Sequence, residues 1–151
     1  MSRQTIDPDL AEEIINSSLV ATDNVKFVQE RIYGAFGSGD IPGLLNALAE
    51  DVDWQFYGPP EIPFAGHYRG RQEMARFFGM VAEMVVIHIF EPREFTAQGD
   101  RVVVRGYEKT GVKSNGRIFE TNWVHIFTVR DGQVVKVREY YDTAAIAAAY
   151  A

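Results

Sequence analysis

Glu108, His125 and Glu139 are the residues of this chain whose types and spacing could do chemistry. Each falls on a strand-like run and shares its face with apolar or small residues. Two carboxyls and an imidazole converging in apolar surroundings suit acid–base work. Burial raises the pKa of a carboxyl and makes it a better base, while an imidazole can donate to a developing oxyanion.

Alternation of side chains along a strand assigns the faces. Val102, Val104, Gly106 and Glu108 share one face, opposite Arg105, Tyr107 and Lys109. Phe119, Thr121, Trp123, His125, Phe127 and Val129 share another, and Val135, Val137, Glu139 and Tyr141 a third. These are the expected core faces. Turn chemistry then predicts the register. A two-residue Asn115-Gly116 turn pairs Gly106 with His125 and Glu108 with Trp123. A three-residue Arg130-Asp131-Gly132 loop pairs Trp123 with Glu139, whereas a two-residue turn there would face Glu139 outward. Glu108, Trp123 and Glu139 then form a row with backbones roughly 9–10 Å apart at its ends, and His125 lies diagonal to both. Gly106 leaves space beside His125 in an otherwise apolar pocket.

The elements that must position these strands are helical first and extended later. Asp7-Pro8 predicts a helix start, followed by the stripe Leu10, Ile14 and Ile15. A second helix is expected from Asn24 with Val25, Val28, Ile32 and Phe36, ending in Gly37-Ser38-Gly39. Asp40 caps a third helix holding Leu44, Leu45 and Leu48. Val52, Trp54 and Phe56 alternate as a strand, a proline-rich loop from Gly58 through Pro63 follows, His67 falls in a Gly-rich loop, and Met74, Phe77, Phe78, Val81 and Met84 mark a fourth helix. Four strands follow at roughly 85–97, 101–110, 117–129 and 133–141, and the alanine-rich end from Ala144 favours helix. The pattern predicts an α+β fold with helices on one face of an antiparallel sheet.

Composition narrows the function classes. The chain has 151 residues, 46% of them hydrophobic, enough for one core, and residues 1–151 read as a single domain with 1–22 as a helical extension. With no cysteine, disulfides, thiolate metal sites and cysteine nucleophiles are excluded. A net charge of −6 with scattered basic residues argues against nucleic acid. No apolar run approaches a membrane span of roughly 20 residues, and the polar N-terminus does not read as a signal peptide, so a cytoplasmic protein is expected. No histidine pair has a metal-ligand spacing, so neither metal nor cofactor is expected.

From about Val25 to Ala147 the chain resembles the NTF2-like superfamily, in particular its SnoaL-like branch of polyketide cyclases and ketosteroid isomerase-related proteins. The resemblance is carried by Gly39-Asp40, by Phe64-Ala65-Gly66-His67-Tyr68-Arg69-Gly70-Arg71, by Phe127 to Gly132, and by Arg138-Glu139-Tyr140-Tyr141-Asp142-Thr143. It implies a cone-shaped, strongly curved sheet wrapped on three to four helices around a pocket, and a homodimer through the sheet. The histidine and aspartate of SnoaL-type cyclases match His125 and Glu139. The two active-site aspartates of limonene epoxide hydrolase match Glu108 and Glu139, while its arginine falls on Gly106. The oxyanion tyrosine of ketosteroid isomerase falls on Ile32 and its base on Phe56, and Tyr33 beside it should face elsewhere on an α-helix.

The resulting expectation is a cofactor-free isomerase or aldol cyclase for a small, largely apolar carbonyl substrate, polyketide- or steroid-like. Glu139 would be the base, His125 the oxyanion donor, and Glu108 the group that orients His125 or serves as partner acid. Ile32, Trp54, Phe56, Phe77, Val104, Gly106, Trp123 and Tyr141 would line the substrate. The alternatives are a non-catalytic ligand-binding or dimerisation module and an epoxide hydrolase-like enzyme. Dimerisation is expected because Tyr107, Val124, Ile126, Val134 and Tyr140 crowd the outer face.

Overall fold

A computed structural model describes residues 7–151. Asp7 caps the first helix through its side chain, which accepts from the Asp9 N–H, and Pro8 occupies its first turn. No glycine or proline interrupts residues 9–33, so the helix does not restart at Asn24 as expected. α1 (Pro8–Phe27) runs directly into a π-helical turn (Val28–Gly34) and a last α-helical turn, α2 (Ala35–Ser38). Gly39, at φ 76°, ends it in the left-handed conformation that glycine adopts without penalty. Leu10 is solvent-exposed, and the expected stripe positions Ile14 and Ile15 lie outside the described side chains. Asp40 caps α3 (Ile41–Asn46) by accepting from the Gly43 N–H.

Six strands form one sheet in the order β2-β1-β6-β5-β4-β3. They are β1 (Leu48–Phe56), β2 (Gly66–Arg69), β3 (Val85–Gln98), β4 (Arg101–Val112), β5 (Ile118–Arg130) and β6 (Gln133–Tyr141). α4 (Gly70–Met84) links β2 to β3, and α5 (Thr143–Tyr150) closes the chain. The fold is α+β, and its last four strands are consecutive and antiparallel, as the turn dipeptides predict. Three features of the first half differ from expectation. Leu48 opens β1 instead of ending α3, and β1 lies parallel to β6. Gly66–Arg69, read from sequence as loop, pairs with β1 as the short edge strand β2. There His67 meets the Asp53 carboxylate, which also holds Arg138 of β6 at 3.0 Å. Arg138 holds the Asp53 carboxyl down at about 2.

Both predicted registers shift by two residues. Five residues, Lys113 to Arg117, separate β4 from β5, and the Val112 N–H donates to Arg117 O at 2.8 Å, closing a four-residue turn from Lys113 to Gly116. Gly106 therefore faces Trp123, Val104 faces His125 and Glu108 faces Thr121. The turn between β5 and β6 has only two residues, Asp131 (φ 51°) and Gly132 (φ 70°), both left-handed as a type I′ hairpin turn requires. That turn alone would face Glu139 outward. A bulge restores it: Val129 pairs with Val134 but Thr128 pairs with Lys136, which leaves Val135 as the extra residue. Val134 is consequently fully buried and belongs to the core, not to the outer face, while Val135 takes a half-buried position. His125 sits opposite Glu139, and Trp123 opposite Tyr141. A two-residue shift preserves side-chain parity, so every expected core face of β4 and β5 stays inside.

Gly106 has a purely steric role. A Cβ placed there would lie 2.2 and 2.5 Å from ring carbons of Trp123 and 2.6 Å from the Glu91 carbonyl oxygen. Trp123 is fully buried. Gly106→Ala should therefore lower unfolding free energy by about 3 kcal/mol, the upper part of the range for overpacked cores, as read by denaturant titration. A change below about 0.5 kcal/mol would show that the indole can move aside.

Candidate active site

Curvature of the sheet over α3, α4 and the π-helical turn leaves a cavity of about 80 Å³. Its walls are mostly aromatic and aliphatic, including Ile32, Phe36, Phe56, Phe77, Phe78, Phe90 and Phe127. The polar groups facing it are Tyr33, Trp54, Glu108, Thr110, His125, Glu139 and Tyr141. The structure thus brings Glu108, His125 and Glu139 to one cavity, together with Ile32, Trp54, Phe56, Phe77 and Tyr141. Val104, Gly106 and Trp123 do not line it. Val104 is fully buried between strands, and the space above Gly106 is filled by the Trp123 indole, which stacks on His125 at 3.9 Å.

Glu139, 4% exposed, is held at its Oε1 by the Trp54 indole N–H at 2.7 Å. Trp54 reaches it because β1 and β6 run in parallel and set Phe56 beside Glu139. Glu139 Oε2 stands 3.9 Å from His125 Nε2. His125 is bonded at both ring nitrogens, Nδ1 to the Tyr33 hydroxyl at 2.7 Å and Nε2 to the Tyr141 hydroxyl at 2.9 Å. Tyr141 in turn bonds the Glu139 carboxyl. A continuous chain runs Tyr33–His125–Tyr141–Glu139–Trp54.

Tyr33 is the group that sequence periodicity missed. On an α-helix, Ile32 and Tyr33 point about 100° apart, and only one would face the cavity. The π-helical turn contains more residues per revolution, which narrows that angle, and both residues enter the lining. Glu108 also departs from expectation. It does not touch His125; its Oε2 accepts from the Thr110 hydroxyl at 2.6 Å, two residues along the same face.

Burial dominates the electrostatics. Loss of solvation pushes the Glu139 carboxyl up to about 8, with the Glu108 charge adding and the Trp54 and Tyr141 hydrogen bonds opposing. Loss of solvation also raises Glu108 to about 6, against the Thr110 hydrogen bond, and lowers His125 to about 3. Tyr33 and Tyr141 are raised well above their ordinary value by burial and by Glu139. His125 is therefore neutral at physiological pH. Glu139 is mostly protonated at neutrality and becomes a strong base only as it ionises. Among the described residues, no group of three or more His, Cys, Asp or Glu has a metal-binding arrangement, and no helix is long and apolar enough to cross a membrane.

Residues 29–137 match the SnoaL-like domain family. The chain belongs to that family. An NTF2-like protein from Burkholderia xenovorans is 43% identical, with a TM-score of 0.80 over 87% of this chain and 98% of that one. An NTF2-like protein of unknown function from Burkholderia pseudomallei is 31% identical, with a TM-score of 0.72 over 82% and 93%. TerC, co-crystallised with polyporic acid, is 28% identical, with a TM-score of 0.71 over 84% and 97%. No curated protein matches the chain.

The direction of each shift sets the dependence of stability on pH. The raised carboxyls of Glu139 and Glu108 contribute fully below their ordinary value of 4.5 and lose that contribution as pH rises through about 8 and about 6. The depressed His125 contributes fully above 6.5 and loses its contribution as pH falls through about 3. Between pH 6.5 and 8 Glu139 therefore dominates. Unfolding free energy should fall there by about 1–2 kcal/mol, and Glu139→Gln should flatten the fall. An equal slope in both proteins would place the titrating group elsewhere.

Proposed function

We propose that this SnoaL-like domain is a cofactor-free acid–base enzyme of the isomerase or aldol cyclase type, acting on a small, largely apolar carbonyl compound. One observation carries the reading: a carboxyl buried in an aromatic cavity, pushed up to about 8, at the end of a hydrogen-bonded chain that contains a neutral histidine. Ionised Glu139 removes a proton from the carbon beside the carbonyl, and the electron pair moves onto the carbonyl oxygen.

The chain supplies the response to that charge. With Glu139 ionised, the Tyr141 O–H donates to it, His125 Nε2–H donates to Tyr141, and Tyr33 donates to Nδ1. Hydroxyls serve as donor or acceptor, and a neutral imidazole has two tautomers, so the direction of the whole chain can invert. With Glu139 protonated, the inverted chain leaves the Tyr33 O–H free to donate into the cavity, where it stabilises an enolate oxygen. The same groups then return the proton to another carbon, or the enolate attacks a second carbonyl. TerC co-crystallised with polyporic acid supports an organic ligand in a related fold.

Deuterium exchange at the acidic carbon of 2-tetralone, followed by NMR, tests the chemistry. Wild-type protein should accelerate exchange, with a rate rising through about pH 8. Glu139→Gln should lose a factor of about 100 or more, and Tyr33→Phe about tenfold. Binding of the ketone without accelerated exchange would assign the cavity to a binding module instead.

The outer face of the sheet supports a second element of the proposal, a homodimer. Tyr57 and Tyr140 stack there at 4.9 Å, each about two-fifths exposed, and Val103 is exposed to a similar degree. Light scattering at micromolar concentration should give twice the chain mass, and Tyr140→Asp should shift it towards monomer. A wild-type monomer at that concentration would contradict the dimer.

A further inference from the structure

The polar groups of the cavity are not one cluster. In the Tyr33–His125–Tyr141–Glu139–Trp54 chain, both His125 nitrogens are bonded and Glu139 has a donor from Trp54 and another from Tyr141. Glu108 stands apart. It has no hydrogen bond to that chain: on β4 it lies two residues from Gly106, level with Trp123 and Tyr141, and four from Val104, which faces His125, about 13 Å along the strand. Its neighbours across the sheet are Phe90 on β3 and Thr121 on β5. Thr110, beside it, faces Ile87 and Phe119.

Glu108 is 7% exposed, and one of its oxygens accepts from Thr110. The residue lines the cavity, and its other oxygen is not among the fully enclosed polar atoms without a partner. That oxygen is not sealed off, on a residue that lines the cavity. No lysine or arginine is among the described residues that line the cavity. A ligand carboxylate or phosphate would meet two carboxyls and no cation. An ionised carboxyl is an acceptor only, and Thr110 spends its own proton on it.

We propose that Glu108, positioned by Thr110, is a second anchor at the far end of the cavity that recognises a hydroxyl donor, so the substrate is an elongated neutral aromatic or alicyclic carbonyl compound with a hydroxyl at the opposite end. This rests on the acid–base reading for the carbonyl end alone. Glu108 is then a specificity-determining residue, separated from the proton-transfer chain. The cost of leaving a buried carboxyl without a donor explains why a ligand lacking the hydroxyl binds less well.

Three probes test it: 4-acetylbiphenyl, 4-acetyl-4′-hydroxybiphenyl and 4′-acetylbiphenyl-4-carboxylate. Dissociation constants come from quenching of Trp54 and Trp123 fluorescence at pH 7.5. Wild-type protein should bind the hydroxyl compound about tenfold tighter than 4-acetylbiphenyl, and the carboxylate most weakly of the three. Glu108→Gln should reduce the hydroxyl advantage to about twofold or less, and Thr110→Val should reduce it in part. Glu139→Gln should keep the advantage, because the hydroxyl does not reach that end. Melting temperature reports folding of each variant, and Thr110→Val serves if Glu108→Gln does not fold. The proposal is overturned by an undiminished advantage in Glu108→Gln, by tighter binding of the carboxylate, or by no binding of any probe to wild type. Loss of the advantage in Glu139→Gln alone would overturn it too. Failure of the base reading would look different: exchange unaffected by Glu139→Gln, with the hydroxyl preference intact.

Discussion

Side-chain alternation on β6 leaves a carboxyl at position 139 only two options, the cavity or the outer face of the sheet, and the bulge at Val135 selects the cavity. The two-residue Asp131-Gly132 turn is a good match for the twist of the flanking strands, but by itself it presents the wrong face. Inserting one residue beyond the turn corrects parity at a cost confined to one ladder position. Val134 and Val137 then fill the core on either side of the correction, and Glu139 arrives opposite His125 with Trp54 on the adjacent strand. The parallel β1–β6 pair matters for the same reason, since Trp54 would not otherwise reach the carboxyl.

Bringing a carboxyl into aromatic surroundings costs solvation, and the site answers this cost in two ways. Hydrogen bonds from Trp54 and Tyr141 offset part of it in the ionised state, while protonation removes the charge near neutrality. The imidazole is treated the opposite way. Stacked on Trp123 and bonded at both nitrogens, it stays uncharged. A neutral histidine between two hydroxyls serves better as a directional connector than as a cation. Keeping Glu108 at a distance limits the repulsion between the two carboxyls and leaves each its own partner.

Much of this was legible in the sequence. The face assignments of Glu108, His125 and Glu139 survive because both registers end up wrong by two residues, through a longer loop before β5 and a shorter turn plus a bulge before β6, and a two-residue shift moves residues along a strand without turning them over. The pairings did not survive. Asn115-Gly116 reads as a two-residue turn, yet Gly116 ends a four-residue loop, and the bulge at Val135 has no composition signal of its own. Tyr33 was misplaced because helical periodicity assumes 100° per residue, and nothing in Val28–Gly34 marks the wider turn. Gly106 read as open space because the sequence shows the missing Cβ but not the indole that occupies its place. β2 is only four residues long and follows a proline-rich stretch, so its pairing with β1 depends on contacts distant in sequence.

The account centres on a single ionisation, that of Glu139 inside the cavity. Carbon-13 NMR of the glutamate side-chain carboxyls, assigned by comparison with Glu139→Gln, reads it directly. A resonance titrating near pH 8 that disappears in the variant is the result the account predicts. Titration of that resonance near the ordinary glutamate value of 4.5 would mean that water reaches the carboxyl freely, and would contradict a buried base.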